Sequence, residues 1–325
     1  MPPVAHRPAD LTGQVFRGSD VVRRGLLTVH QLRSSAWTRL HHDVYADARL
    51  ERDHGLACRA VALRLPPGVP IAGPSAAFLH GVEHAAGFDD EVHVSAAHGS
   101  PLRSRRGLRV HTSLLQPPLV LAGATRVLVA AAPSVDQAPP SPVAPGPALP
   151  APARSEPALA AWETAAWLEP VRAVSIVDSL LARGLTSRGG LADAAEENAD
   201  RPGASRARWV FDLADPGARS PGESRLRVRL VLAGLPRPVA RHPVRLPAGI
   251  VLHPDLAWPE LRVAVDYDRP WHSDLDQLHR DRQRLDLLVG AGWLVLPVTS
   301  RRLRQDFPAV VQEVRAALLS RGWRP

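Results

Sequence analysis

The sequence predicts an α/β (α+β) protein of more than one module, and three observations carry that expectation. Between Ala248 and Thr299 the pattern runs strand, tight turn, strand, helix, strand, which describes a mixed sheet flanked by helices. Between residues 51 and 130, two helical stretches precede two short runs in which apolar and polar residues alternate. From Pro133 to Pro157, nine prolines fall in twenty-five residues, a composition that forms neither helix nor ladder. At 325 residues the chain has room for two or three cores.

Residues 15–47 read as helix, turn, helix and short hairpin. Ser19 is the expected N-cap of the first helix and Gly25 its stop, and Thr28 caps a second helix to about Arg33. The run Gly25-Leu26-Leu27-Thr28, with Gln31-Leu32 and then Asp43-Val44-Tyr45, resembles the winged-helix N-terminus of the AbiEi-type antitoxin family. That family has Gly-Val-Tyr at the last position. The resemblance implies a DNA-binding module over 1–50 and leaves a partner toxin open. Only Arg33 to Thr38 separates the second helix from the hairpin, too little for an ordinary recognition helix, so the module reads as truncated. Arg33, Arg39 and His41 remain candidates for phosphate contact, while Trp37 and Leu40 read as core.

Residues 51–130 form the expected small α/β module. Asp53–Leu65 carries a helical stripe of Leu56, Ala60 and Leu63, and Ser75–His80 opens a second helix after a Gly-Pro turn. Residues 91–95 and 108–112 alternate as strands. Ser75-Ala76-Ala77 followed by Leu79-His80-Gly81-Val82 again resembles the antitoxin architecture. His80, His93 and His111 alternate with apolar residues as a solvated strand face does, which argues against a ligand role. The proline-rich stretch makes 131–157 an extended linker. Residues 158–200 then read as a helical connector, with helices at 158–168, 171–183 and 191–198 and Pro170 splitting the first two.

The last module, 201–325, opens on Ser220-Pro221-Gly222-Glu223, a capping box with Pro at the first helical position, and Gly234 ends that helix. Glu223 is explained by the cap, yet its spacing to Leu226 and Leu230 also leans it toward the buried side. Farther on, Leu261, Val263, Val265 and Tyr267 alternate with Arg262, Ala264, Asp266 and Asp268, so Asp266 and Asp268 share one face of a strand. A turn at Trp258-Pro259-Glu260 brings Asp255 opposite residue 264 or 266. Three carboxylates on one face repel one another, and a divalent cation with oxygen ligands is the economical remedy.

The order Asp255, then Asp266-Tyr267-Asp268, followed by His272, Arg280-Asp281-Arg282-Gln283-Arg284 and Ala291–Thr299, resembles the very-short-patch-repair (Vsr)-like branch of the PD-(D/E)XK nucleases, over roughly 220–321. In that branch the strand reads V-E-x-D-G, so Asp266 stands in place of Glu and Arg269 in place of Gly. The resemblance implies a restriction-endonuclease-like sheet. It also implies that Asp255 and Asp266 hold Mg²⁺ (or Mn²⁺), with Asp268 as a further ligand and Glu223 near the metal. His272 and Arg269 are then candidates for binding the phosphate. The Lys usual at the third motif position is absent, because the chain contains no lysine.

The formal net charge is +8 and every basic residue besides histidine is arginine, a balance that permits nucleic-acid binding. From Arg201 to Ile250 ten arginines stand against Asp212, Asp215 and Glu223, immediately before the acidic site. Arg225, Arg229, Arg269 and Arg282 are the nucleic-acid-binding candidates, although Arg225 and Arg229 taken singly are also what a solvated helix face carries. Cys58 is the single cysteine, which excludes an internal disulfide and a Cys-rich zinc site. No apolar run is long enough to span a bilayer and no secretory leader is evident, so the expected location is cytoplasmic. Two functions lead this reading, ahead of a structural protein that uses both modules for partner binding. One is a metal-dependent endonuclease acting on nucleic acid, DNA being the expected kind. The other is a non-catalytic DNA-binding regulator or antitoxin whose nuclease core is degenerate.

Overall fold

The computed structural model describes residues 6–113, 119–120, 151–246, 249–268 and 275–325; the side chains of 113, 119–120, 268 and 275–282 fall outside that description. The chain is α/β (α+β) and divides into two compact units, Met1–Ala160 and Ala161–Pro325. Among the described residues no helix is long and apolar enough to cross a membrane.

The first unit begins with β1 (Val15–Arg17), α1 (Gly18–Arg23), β2 (Trp37–His41) and β3 (Val44–Asp47), whose strands form an antiparallel sheet in the order β1-β3-β2. The expected helix after Thr28 is a single 3₁₀ turn, Gln31–Arg33. Its capping box is present, with Gln31 N–H donating to Thr28 Oγ1 at 3.2 Å and Thr28 N–H donating to Gln31 Oε1 at 2.7 Å. What is missing is chain length, because Trp37 is already committed to the sheet. Ser19 does not cap α1 either. The N-cap position is Arg17, and the Ser19 amide and hydroxyl both donate to the Asp43 carboxylate, at 2.7 and 2.6 Å. Asp43 turns the β2–β3 hairpin at φ 61°, so the hairpin itself supplies the acceptor for the helix start.

The same unit continues with α2 (His54–Ala62), capped by Asp53, then α3 (Gly73–Leu79), β4 (Val92–Ala97) and β5 (Leu108–Ser113), the two strands running parallel. Two further strands, β6 (Leu119–Val120) and β7 (Arg154–Ser155), pair antiparallel. Ile71 bridges Val94 on one side and Arg154 on the other, which joins both pairs into one sheet. The expected linker therefore ends inside a sheet. Arg154 and Ser155 belong to the first unit, and residues 121–150 lie outside the described set.

In the second unit, α4 (Pro157–Trp167), α5 (Pro170–Ala182), α6 (Arg188–Glu197) and α7 (Ala204–Leu213) precede α8 (Pro221–Leu232). The helices of the expected connector pack into the second unit. Asp178 on α5 and Arg227 on α8 are both buried and bond at 2.8 Å, and Asp178 also accepts from Ser224 Oγ and Asp215 N–H at 2.7 Å each. Burial pushes the Asp178 carboxyl upward against the pull of Arg227. A paired charge this deep holds its two helices in one arrangement, because separating them would strand an ion in apolar surroundings.

Four short strands follow, β8 (Val239–Ala240), β9 (Val244–Arg245), β10 (Val251–Leu252) and β11 (Leu256–Trp258), then β12 (Val263–Asp268), α9 (Leu275–Gly290) and β13 (Leu294–Thr299). The chain ends with α10 (Ser300–Gln305) and α11 (Phe307–Ser320). The main sheet has the order β13-β12-β11-β8 and is mixed: β13 runs parallel to β12, and the other pairs are antiparallel. Parallel pairing requires a crossover, which α9 provides. One face, with Leu256, Trp258, Val263 and Val265, packs on Leu226 and Leu230 of α8 and Val310, Val314 and Leu318 of α11. The opposite face, with Ala257 and Ala264, packs on Leu288 of α9 and Trp293. Helices thus cover both faces, and β11 is buried at every position.

Candidate functional site

The antiparallel register pairs Leu256 with Val265, and continuing it by one residue sets Asp255 across from Asp266. Residues directly opposite share a sheet face, and here it is the face that α9 covers. The turn between the strands is a 3₁₀ turn at Pro259–Leu261 with Arg262 at φ 51°, so the bend falls where Pro259 predicts it.

Asp255 is 8% exposed. Its Oδ2 accepts from the Tyr267 N–H at 2.9 Å and its Oδ1 from Arg241 Nη1 at 3.4 Å. Burial, then the negative charges of Glu223 and Asp266, raise its carboxyl from the ordinary 3.8 to about 6, while the Tyr267 N–H and Arg284 pull the other way. Asp266 Oδ1 accepts from Arg284 Nη2 at 3.1 Å, and the same nitrogen donates to the His253 carbonyl at 2.6 Å. Two carboxylates therefore face each other with a guanidinium on each.

Glu223 is buried and spends both oxygens on its cap. Oε1 accepts from the Ser220 hydroxyl at 2.8 Å and Oε2 from the Arg219 N–H at 3.0 Å. It still lies near enough to Asp255 to raise it. Tyr267, on the α8 side of the sheet, sets the distance: a Cβ added at Gly222 would stand 2.4 Å from its ring.

Of the remaining sequence candidates, Asp268 ends β12 but its side chain is outside the described residues, as is that of Arg282 on α9; Arg269 and His272 lie wholly outside them. Arg225 is exposed. Arg229 is drawn inward, donating to the Leu303 carbonyl at 2.6 Å with its guanidinium 3.7 Å from the Phe307 ring centre. Others of the ten arginines are also spent within the fold: Arg201 lies over Trp162, Arg227 pairs with Asp178, and Arg241 pairs with Asp255. Arg206, Arg208, Arg219 and Arg245 stay exposed beside Arg225.

Sequence reasoning did not single out Arg241, and it took in Arg284 only as part of the run 280–284, without a role at the carboxylates. A signal existed for Arg284, since it stands one helical turn before Leu288, the α9 residue that packs on the sheet. Arg241 had none; it sits at φ 56° in the turn after β8, a backbone setting rare for a residue with a Cβ.

Among the described residues no group of three or more His, Cys, Asp or Glu converges to hold a metal ion. Two carboxylates are nonetheless enough for Mg²⁺, which keeps several waters and takes one or two protein carboxylates alongside substrate phosphate. Asp255 and Asp266 fit that description; Glu223 does not, because its oxygens are committed to the cap.

In the first unit, the three histidines depart from the expected solvated face. All are half-buried. His80 Nε2 lies 2.8 Å from the Ser155 carbonyl, and His93 and His111 stack with ring nitrogens 3.0 Å apart. Burial, with His93 and Arg109, lowers His111 to about 3. Arg33 and Arg39 rim an open cleft whose walls include Trp37 and Tyr45.

No family model matches the chain, and no solved structure does. Two curated relatives, each titled an uncharacterized protein and each from a strain of Mycobacterium tuberculosis (CDC 1551 / Oshkosh and H37Rv), are 31% identical over 136 residues. The match covers 42% of this chain and 50% of each relative, so the chain spans about half the length of the curated relatives it matches.

Proposed function

We propose that the second unit is the core of a metal-dependent nuclease that hydrolyses phosphodiester bonds in nucleic acid, DNA in particular. The observation that carries the reading is the facing pair Asp255 and Asp266, with Asp255 held near 6 by burial and by its acidic neighbours. A fold places carboxylates so close at a cost, which a bound cation would offset. Asp255 and Asp266 would hold Mg²⁺ or Mn²⁺; when bound, the ion acidifies a water and stabilises charge on the scissile phosphate. Tyr267 N–H fixes the Asp255 carboxylate, and the Glu223 cap anchors α8 beside it. Asp268 is a further candidate ligand, and His272 and Arg269 are candidates for holding the phosphate.

One observation favours a second reading. Arg284 already sits on Asp266 at 3.1 Å and Arg241 on Asp255 at 3.4 Å, so guanidinium groups take the place of a cation. On that reading the unit binds DNA without cutting it and serves as a regulator or antitoxin. Supercoiled plasmid incubated with Mg²⁺ or Mn²⁺ separates the two. Nicking by the wild type that disappears in Asp266→Asn supports the nuclease. An absence of nicking in wild type and in Arg269→Gly, with no heat on titrating either ion, leaves the regulator. Equal nicking by wild type and Asp266→Asn assigns the activity to a contaminant.

A further inference from the structure

Beside the carboxylate pair, the second unit opens into a cleft of about 540 Å³. Ser179 and Arg183 of the α5 end, the loop from Pro216 to Arg219, and Arg241 with His253 line it. Three arginines from three separate parts of the chain meet there, and among the described residues no aspartate or glutamate lines the cleft. Arg183 and Arg219 are exposed. Arg241 is the inner member: its side chain is 22% exposed and its guanidinium reaches Asp255 Oδ1 at 3.4 Å. It therefore connects the cleft to the carboxylate pair. His253 makes the same connection through its backbone, since its carbonyl accepts from the Arg284 nitrogen that also bonds Asp266.

The walls are built to stay in place. The buried Asp178–Arg227 pair ties α5 to α8, and Asp178 also holds the Asp215 amide at the start of the loop. Gly217 packs against Ala240 so closely that a Cβ would sit 3.1 Å from the Ala240 Cβ.

We propose that this cleft is a backbone-binding track for nucleic acid, with Arg183 and Arg219 engaging successive phosphates and Arg241 the phosphate next to the carboxylates. The inference rests on the nucleic-acid reading of the carboxylate site and deepens it by assigning the substrate-positioning residues. Several separated guanidinium groups suit a repeating polyanion better than a single small anion, because each neutralises one phosphate and releases its counterions. Among the described residues the cleft is lined by no Phe, Tyr or Trp, and His253 is its single ring, so it is built to grip the backbone rather than to stack a run of bases. Arg183 is the C-cap of α5, so the helices ahead of the sheet contribute to the binding surface.

The test is fluorescence anisotropy of a labelled duplex and of its single strand with the full-length protein in EDTA, where no cleavage occurs. Arg183→Ala/Arg219→Ala should bind at least about tenfold more weakly at low salt, and the slope of log K against log salt should shrink by about two. Asp266→Asn should bind as well as wild type or better. The duplex and single-strand arms show which form the track takes; loss on either one supports it. Unchanged affinity and slope in the double variant, with its melting temperature intact, overturns the track even if the protein cleaves. Wild-type binding that needs Arg183 and Arg219, without nicking in Mg²⁺ or Mn²⁺, keeps the track and removes the nuclease. A wild type that binds neither form overturns both.

Discussion

Replacing Asp255 by Asn is the sharpest probe of the electrostatics at the candidate site. The change keeps the shape and keeps an acceptor for the Tyr267 N–H. It removes the negative charge that burial, Glu223 and Asp266 all oppose. A carboxyl held at about 6 in the folded state against an ordinary 3.8 disfavours folding above pH 6 by about 3 kcal/mol, at about 1.4 kcal/mol for each pH unit. The sign follows from proton binding. Between pH 3.8 and 6 the folded state binds more protons than the unfolded one, so this group's contribution to stability falls as pH rises through that window. Asp255→Asn should therefore be more stable than wild type at pH 8, by an amount between about 1 and 3 kcal/mol once the lost contact with Arg241 is allowed for. The advantage should vanish toward pH 4. Urea unfolding of both proteins at a series of pH values measures it. A variant less stable than wild type at pH 8, or an advantage independent of pH, would refute the reasoning, because Arg241 and Arg284 would then already neutralise the pair.

Three further outcomes can be checked. Arg227→Ala leaves Asp178 buried without its partner and should cost about 3–5 kcal/mol in urea unfolding, whereas the apolar double replacement Asp178→Leu/Arg227→Met should recover most of the loss. His111, lowered to about 3, is neutral in the fold and charged once unfolded below pH 6.5, so its contribution to stability falls as the pH drops through that range; His111→Gln should move acid unfolding, followed by circular dichroism, to lower pH. Cys58 is fully buried with its thiol pushed far up, so iodoacetamide should label it in urea and leave it untouched in the native protein.

The parts of this fold legible in the sequence are those that local chemistry decides. Ser220, Pro221 and Glu223 mark the start of α8 because a capping box satisfies its own donors within four residues. Pro259 marks the bend, and the alternation after it gives β12, from which the facing of Asp255 and Asp266 follows. The illegible parts depend on groups far apart in the chain. The acceptor for the start of α1 comes from Asp43, twenty-four residues after Ser19. Thr28 and Gln31 form a sound capping box, yet the next element claims the residues that a helix would need. The strand histidines read as solvated because periodicity reports which face a residue is on, not whether that face is later covered. The guanidinium groups on the carboxylate pair come from the turn after β8 and from the crossover helix α9; the spacing of Arg284 to Leu288 turns it toward the sheet, but no spacing rule says which carboxylate either arginine meets.

The pairing of Leu119 with Ser155 has a consequence for the proline-rich stretch. Val120 and Arg154 are partners across one strand pair, so the described residues on either side of that stretch meet at one place in the first unit. The connection between them therefore joins two strands of one module and is not a tether between modules. For a flexible connection between paired strands the closure cost grows only with the logarithm of its length, so halving one changes stability by about 0.6 kcal/mol. Shortening it, or inserting a small folded tag at Gly146, should therefore leave both units intact, whereas cutting into Arg154–Ser155 would remove the strand to which Ile71 is joined.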